Sequence, residues 1–97
     1  MRWATTTFRV TDMTDDLRQA LSAWRDHIRD AHPGIKDVRS YVYNGGTEIM
    51  WQEGFEDFHA YQDLIEQEDA RCAEVMGAVF RHMVPGTREG RILNDAI

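Results

Sequence analysis

Two tryptophans and two histidines in this chain are of the types that can hold and activate a flat organic molecule. Trp51 lies in the middle of an extended run and Trp24 on an apolar helical stripe; each offers a face on which an aromatic ligand can stack and one N–H that needs an acceptor. His27 and His82 stand at the edges of the first and last helical stripes, where a neutral imidazole leaning into the layer between helices and sheet can take a proton near physiological pH. Tyr41 shares a strand face with Tyr43 and supplies a phenol that can orient a substrate oxygen or meet the sheet of a second subunit. Such a set suits removal of a proton from a carbon acid held between aromatic walls. Each residue also has a structural alternative, because aromatics on strands commonly fill cores and boundary histidines commonly find a neighbour.

Other groups have simpler explanations. His59 shares a helical face with Asp63 and Glu66, a spacing that imitates a metal-ligand array, but a solvated face accounts for it and no metal is assigned. His32 precedes Pro33 at a helix end, where its charge suits the carbonyl terminus. Cys72 follows Glu68 and Asp69 by one turn, and their charges disfavour a thiolate. Gly45 and Gly46 belong to a hairpin, and neither a phosphate-binding loop, a dinucleotide fingerprint nor a nucleophile elbow occurs. Glu56 and Asp57 are adjacent acids at a helix start, where the helix dipole explains them.

The elements that must position these residues follow from periodicity. Trp3 to Val10 alternates Ala4, Thr6, Phe8 and Val10 against Trp3, Thr5, Thr7 and Arg9, as a strand does. Thr14 caps a helix carrying Leu17, Ala20, Leu21, Trp24, Ile28 and Ala31 on one stripe, and His32, Pro33 and Gly34 end it. Val38 to Tyr43, the turn Asn44-Gly45-Gly46-Thr47 and Glu48 to Glu53 make a hairpin. A second helical region begins at Glu56 and Asp57 and carries Phe58, Tyr61, Leu64 and Ile65, then Cys72, Val75, Met76, Val79, Phe80 and Met83. A continuous stripe would place Glu68 among apolar neighbours, so a break is expected between Glu66 and Asp69. Pro85 and Gly86 end this region, and Arg88 to Asn94 is the last strand. Strand, helix, strand, strand, helix, strand in one short domain is the α+β split βαβ arrangement with an antiparallel sheet. Its helices cover one face only, and the aromatic residues on the strands call for a partner on the other, so a homodimer is expected.

Composition narrows the function classes. The 97 residues allow one domain over residues 1–97, burying about 60–65 % of the extended chain's surface. A hydrophobic fraction of 42 % excludes a disordered chain, and a net charge of −6 disfavours nucleic acid. One cysteine forms no internal disulfide, and no run reaches membrane-span length or reads as an export signal. A cytoplasmic location without a membrane partner is therefore expected.

The segment Ile49–Tyr61, IMWQEGFEDFHAY, with the later VMGAVFRHMVPGT and a closing strand, resembles the dimeric α/β-barrel superfamily, within it the antibiotic-biosynthesis-monooxygenase-like and NIPSNAP-like groups. The resemblance implies two ferredoxin-like βαββαβ subunits with their sheets face to face, each keeping a cavity between its own sheet and helices. It also implies activities that range over cofactor-free oxygenases of aromatic substrates, haem degraders, polyketide cyclases and isomerases. The haem degraders' asparagine on the first strand and histidine on the last helix fall here on Thr5, Thr6 and Thr7 and on the region of Cys72; only their tryptophan is matched, by Trp51. The expectation is thus a homodimer binding a small hydrophobic or aromatic metabolite between sheet and helices, with no cofactor. In that site Trp24, Trp51 and Tyr41 contact the ligand, His27 or His82 serves as base, and the chemistry is that of a cofactor-independent monooxygenase. The alternatives are a non-catalytic binding or stress-associated dimer, and a cyclase or isomerase.

Overall fold

The computed structural model describes residues 1–66 and 69–96. Strand β1 spans Arg2–Arg9, helix α1 Asp15–Ala31, β2 Asp37–Tyr43, β3 Glu48–Phe55, α2 Phe58–Glu66, α3 Ala70–Phe80 and β4 Glu89–Asn94. The four strands pair antiparallel in the order β2-β3-β1-β4, the ferredoxin-like arrangement expected from the element order.

Local chemistry sets these boundaries. The Thr14 hydroxyl accepts the Leu17 N–H at 3.2 Å and caps α1, with Asp15 and Asp16 in the first turn. The buried stripe of α1 is Leu17, Ala20, Leu21, Trp24 and Ile28; it stops short of Ala31, which is exposed. At the hairpin Asn44, Gly45 and Gly46 all take positive φ, of 51°, 71° and 91°, bringing Tyr43 opposite Glu48. Strand β3 runs two residues beyond the expected end because Arg2 and Trp3 pair with Phe55 and Gly54. The Trp3 ring covers Gly54: a Cβ there would lie 2.8 Å from its Cζ3 and displace it. The second helical region divides as expected into α2 and α3, with Asp69 capping α3 through the Arg71 N–H at 2.9 Å. Glu68, the residue that motivated the break, lies outside the described residues.

Strand parity assigns the two faces. Ala4, Phe8, Val38, Ile49, Trp51 and Phe55 face the helices and join Leu17, Trp24, Ile28, Leu64, Val75 and Val79 in one core. The outer face carries Trp3, Thr5, Thr7, Tyr41, Tyr43, Met50 and Leu93, and none of the described helices packs on it. Helices α1 and α3 run antiparallel, tied at one end by His27 to Asp69 and at the other by Arg81 to Asp16.

Candidate functional site

Between the helices and the sheet lies a cavity of about 650 Å³, within the range typical of small-molecule sites. Thr6 of β1 and Glu53 of β3 form its floor, Trp24 of α1 one wall, Tyr61 and Leu64 of α2 and Cys72 and Met76 of α3 the others, and Arg88 closes it beside β4. Ile65, exposed, and Asp69, partly exposed, stand at its rim.

The two tryptophans anticipated as ligand contacts stack on each other. Trp24 and Trp51 lie with ring centroids 3.8 Å apart and planes 4° from parallel. Trp24 lines the cavity, whereas Trp51, 1 % exposed, lies stacked on Trp24 and is not among the cavity's lining residues. Phe80 meets the edge of Trp24 at 5.6 Å, so the indole is held in place from two sides. The Trp51 N–H makes no hydrogen bond of normal geometry among the described residues.

The central polar group is Glu53, which sequence reasoning did not single out. Two residues beyond Trp51 on the same strand face, it is only 8 % exposed and has an apolar neighbour on each side, Ala4 of β1 and Val38 of β2. Burial pushes its carboxyl up to about 7, with the Trp51 indole and the Arg88 guanidinium opposing the shift incompletely. A carboxyl near neutrality can both accept and return a proton. The Tyr61 phenol, raised by burial and by the Glu53 charge, stacks on Phe55 at 5.0 Å and brings a donor to the same cavity. Arg88 lies over the Phe80 ring at 4.4 Å. Burial, then the charges of Asp69 and Glu53, pushes the Cys72 thiol up, so the cysteine is a packing residue, as its acidic neighbours led one to expect.

The remaining anticipated residues are dispersed. His27 contributes its Nε2 to a 2.6 Å contact with Oδ2 of Asp69, next to the rim of the cavity. This contact first, then N–H groups at the start of α3, holds the Asp69 carboxyl below its ordinary value. His82 lies in the turn after α3, at the opposite end of the helix pair, with its Nε2 buried and without a hydrogen-bond partner among the described residues. Tyr41 pairs with Met50 while Ser40 pairs with Trp51, so Tyr41 is on the outer sheet face, 48 % exposed; it borders with Trp51 a separate cavity of about 360 Å³ between α1 and β2, not the one that holds Glu53. His59 is exposed on α2. Among the described residues the metal-competent grouping is instead His27, His32 and Asp69.

A four-stranded antiparallel sheet with its helices on one face is the ferredoxin-like form shared by antibiotic biosynthesis monooxygenase-like and NIPSNAP-domain proteins. The chain is similar over 100 % of its length, and 100 % of the other's, to a Nitrosomonas europaea protein assigned to the antibiotic biosynthesis monooxygenases, with a TM-score of 0.76 and 19 % identity. A Streptomyces coelicolor monooxygenase, solved in complex with nanaomycin D, matches 99 % of this chain over 89 % of its own, with a TM-score of 0.70 and 19 % identity. A NIPSNAP-domain protein of Burkholderia xenovorans matches 99 % over 95 %, with a TM-score of 0.64 and 15 % identity. At such identities the likeness is one of fold. No family model and no curated protein matches the chain. Among the described residues no helix is long and apolar enough to cross a membrane.

Proposed function

We propose that this chain is a homodimeric enzyme that binds a hydrophobic, aromatic metabolite in the cavity and oxidises it as a cofactor-independent monooxygenase, with Glu53 as the general base. The observation that carries the reading is a buried carboxyl, poised near neutrality, in the wall of a cavity of about 650 Å³ beside a stacked indole pair. A fully packed layer would leave a purely structural dimer the simpler account; the cavity favours a protein that takes a ligand.

In this scheme the substrate lies against Trp24, and the Glu53 carboxylate removes a proton from the activated carbon of an anthrone or the hydroxyl of a quinol. Arg88 and the Tyr61 phenol stabilise the negative oxygen that develops on the ring. The electron-rich anion transfers one electron to dioxygen, and the radical pair recombines to a peroxide anion, which takes the proton held by Glu53 to become the hydroperoxide. Glu53 then removes the hydrogen remaining on that carbon as a proton; the C=O bond forms as the O–O bond breaks, and the departing hydroxide recovers the proton from Glu53 and leaves as water. His27, the base anticipated from the stripe, is assigned no proton transfer here because its Nε2 is engaged by Asp69. The same base without oxygen would serve an isomerase or cyclase, and oxygen uptake separates these chemistries.

Homodimerisation rests on the outer sheet face. Tyr41 and Leu93, 48 % and 40 % exposed, stand there beside Trp3, Tyr43 and Met50 with no described helix above them. A second sheet packed against it would bury this surface and complete a barrel.

The test is oxygen consumption with a panel of anthrones and quinols by wild type and Glu53→Gln. Loss of about 10²–10⁴-fold in the variant is expected, the usual worth of a general base. Undiminished turnover in Glu53→Gln would refute the assignment, and product formation without oxygen uptake would move the protein to the isomerase or cyclase class.

A further inference from the structure

His27, His32 and Asp69 come from two elements and converge at one point. His27 lies near the end of α1, and His32 caps that helix through its backbone N–H, 2.8 Å from the Ile28 carbonyl. The chain turns there, so the two imidazole rings lie close and nearly perpendicular, with centroids 6.3 Å apart and planes at 77°. Asp69 arrives from the start of α3. Its Oδ1 accepts the Arg71 N–H at 2.9 Å, which leaves Oδ2 to face His27 Nε2 at 2.6 Å. One ligand atom from each of the three residues lies within 4.8 Å of the others. The Nε2 of His32 is buried and has no hydrogen-bond partner among the described residues, an arrangement that folded proteins seldom leave without a ligand or water.

We propose that His27, His32 and Asp69 form a site for one divalent transition-metal ion of the zinc class, bound by two imidazole nitrogens and one carboxylate oxygen, with water in the fourth position. Two nitrogen donors and one oxygen suit zinc and its neighbours, whereas calcium and magnesium select oxygen ligands throughout. Bonds of 2.0–2.1 Å in tetrahedral geometry need ligand atoms about 3.3 Å apart, so the ion closes the cluster modestly and spreads the short His27–Asp69 contact. The helix N–H on Oδ1 of Asp69 is the outer partner that orients such a carboxylate. Bound there, the ion clamps the end of α1 to the start of α3 at the rim of the cavity. The site stands independently of what the cavity binds.

The test uses the full chain, stripped by dialysis against a chelator and titrated with Zn²⁺ in competition with a chromophoric chelator, and with Co²⁺ read by its visible absorption. Expected are one ion per chain, a tetrahedral-type Co²⁺ spectrum, and binding weakened at least about tenfold in both His27→Gln and His32→Gln. Wild type binding no more tightly than these variants, or a Co²⁺ spectrum unchanged in them, would overturn the site. Should a variant fail to fold by circular dichroism, imidazole NMR on the wild type decides the matter. Resonances of His27 and His32 should move on adding Zn²⁺ while those of His59 and His82 stay; any other pattern, including no movement, rejects the proposal.

Discussion

Replacing Glu53 with glutamine should remove a pH-dependent cost to the native state, and its size follows from the carboxyl's position. An ordinary value of 4.5 pushed up to about 7 corresponds to about 3 kcal/mol against the ionised native form. At acid pH, below the unfolded value, Glu53 is protonated in both states and contributes no penalty. As pH rises, the unfolded chain ionises first and the native state loses ground; above about pH 7 the loss is complete and constant. Asp69, held below its ordinary value, acts in the opposite sense and at lower pH, where stability falls as acid is added. The difference between wild type and Glu53→Gln isolates the buried acid from all such groups. Thermal unfolding of both proteins, at one subunit concentration from about pH 4 to about pH 9, should show near-equal stability at the acid end. At the alkaline end the variant should be ahead by about 3 kcal/mol, which for a domain of this size is on the order of 10–20 °C in Tm. Curves that stay parallel across the range would refute the placement of Glu53 in a dry wall. The same titration should appear in turnover, with kcat/KM rising as pH passes through about 7 because the base works deprotonated.

Three further outcomes are expected. Thr14→Ala deletes the hydroxyl that caps α1 and should lower stability by about 1 kcal/mol in chemical denaturation. Gly34→Ala would set a Cβ 2.6 Å from that of Ala60, backing the α1–β2 turn into α2; a loss of about 1–3 kcal/mol in the same assay is expected for such overpacking. Leu93→Arg places a charge on the outer sheet face opposite Trp3 and should convert a wild-type dimer to monomer in sedimentation velocity. A wild type that sediments as a monomer at every concentration would dismiss the dimer outright.

What could be read beforehand and what could not differ in physical kind. Helix α1 was legible because its cap, its acidic first turn and its apolar stripe are local and agree. The alternation of β3 was equally plain, yet alternation does not say which set faces the helices. That choice rests on pairing with β1 and β2, and it turns Trp51 and Glu53 toward the helices and Tyr41 to the other face. Glu53 could have been noticed as a carboxylate in phase with Ile49 and Trp51. Its environment, however, is made by Tyr61 and Arg88, which come from distant segments. His27 and His32 looked like a boundary residue and a helix end, and nothing local announced Asp69 as their neighbour. Only the antiparallel packing of α1 on α3 brings it there.

Because β3 supplies both the indole backing and the buried acid at a spacing of two, its reading frame is constrained in a way its composition is not. Inserting or deleting one residue before Trp51 would flip every later side chain and expel the acid to the opposite surface. Related chains should therefore vary at the outward positions of this strand, yet keep the number of positions between its hairpin and its acid, or change it only in pairs.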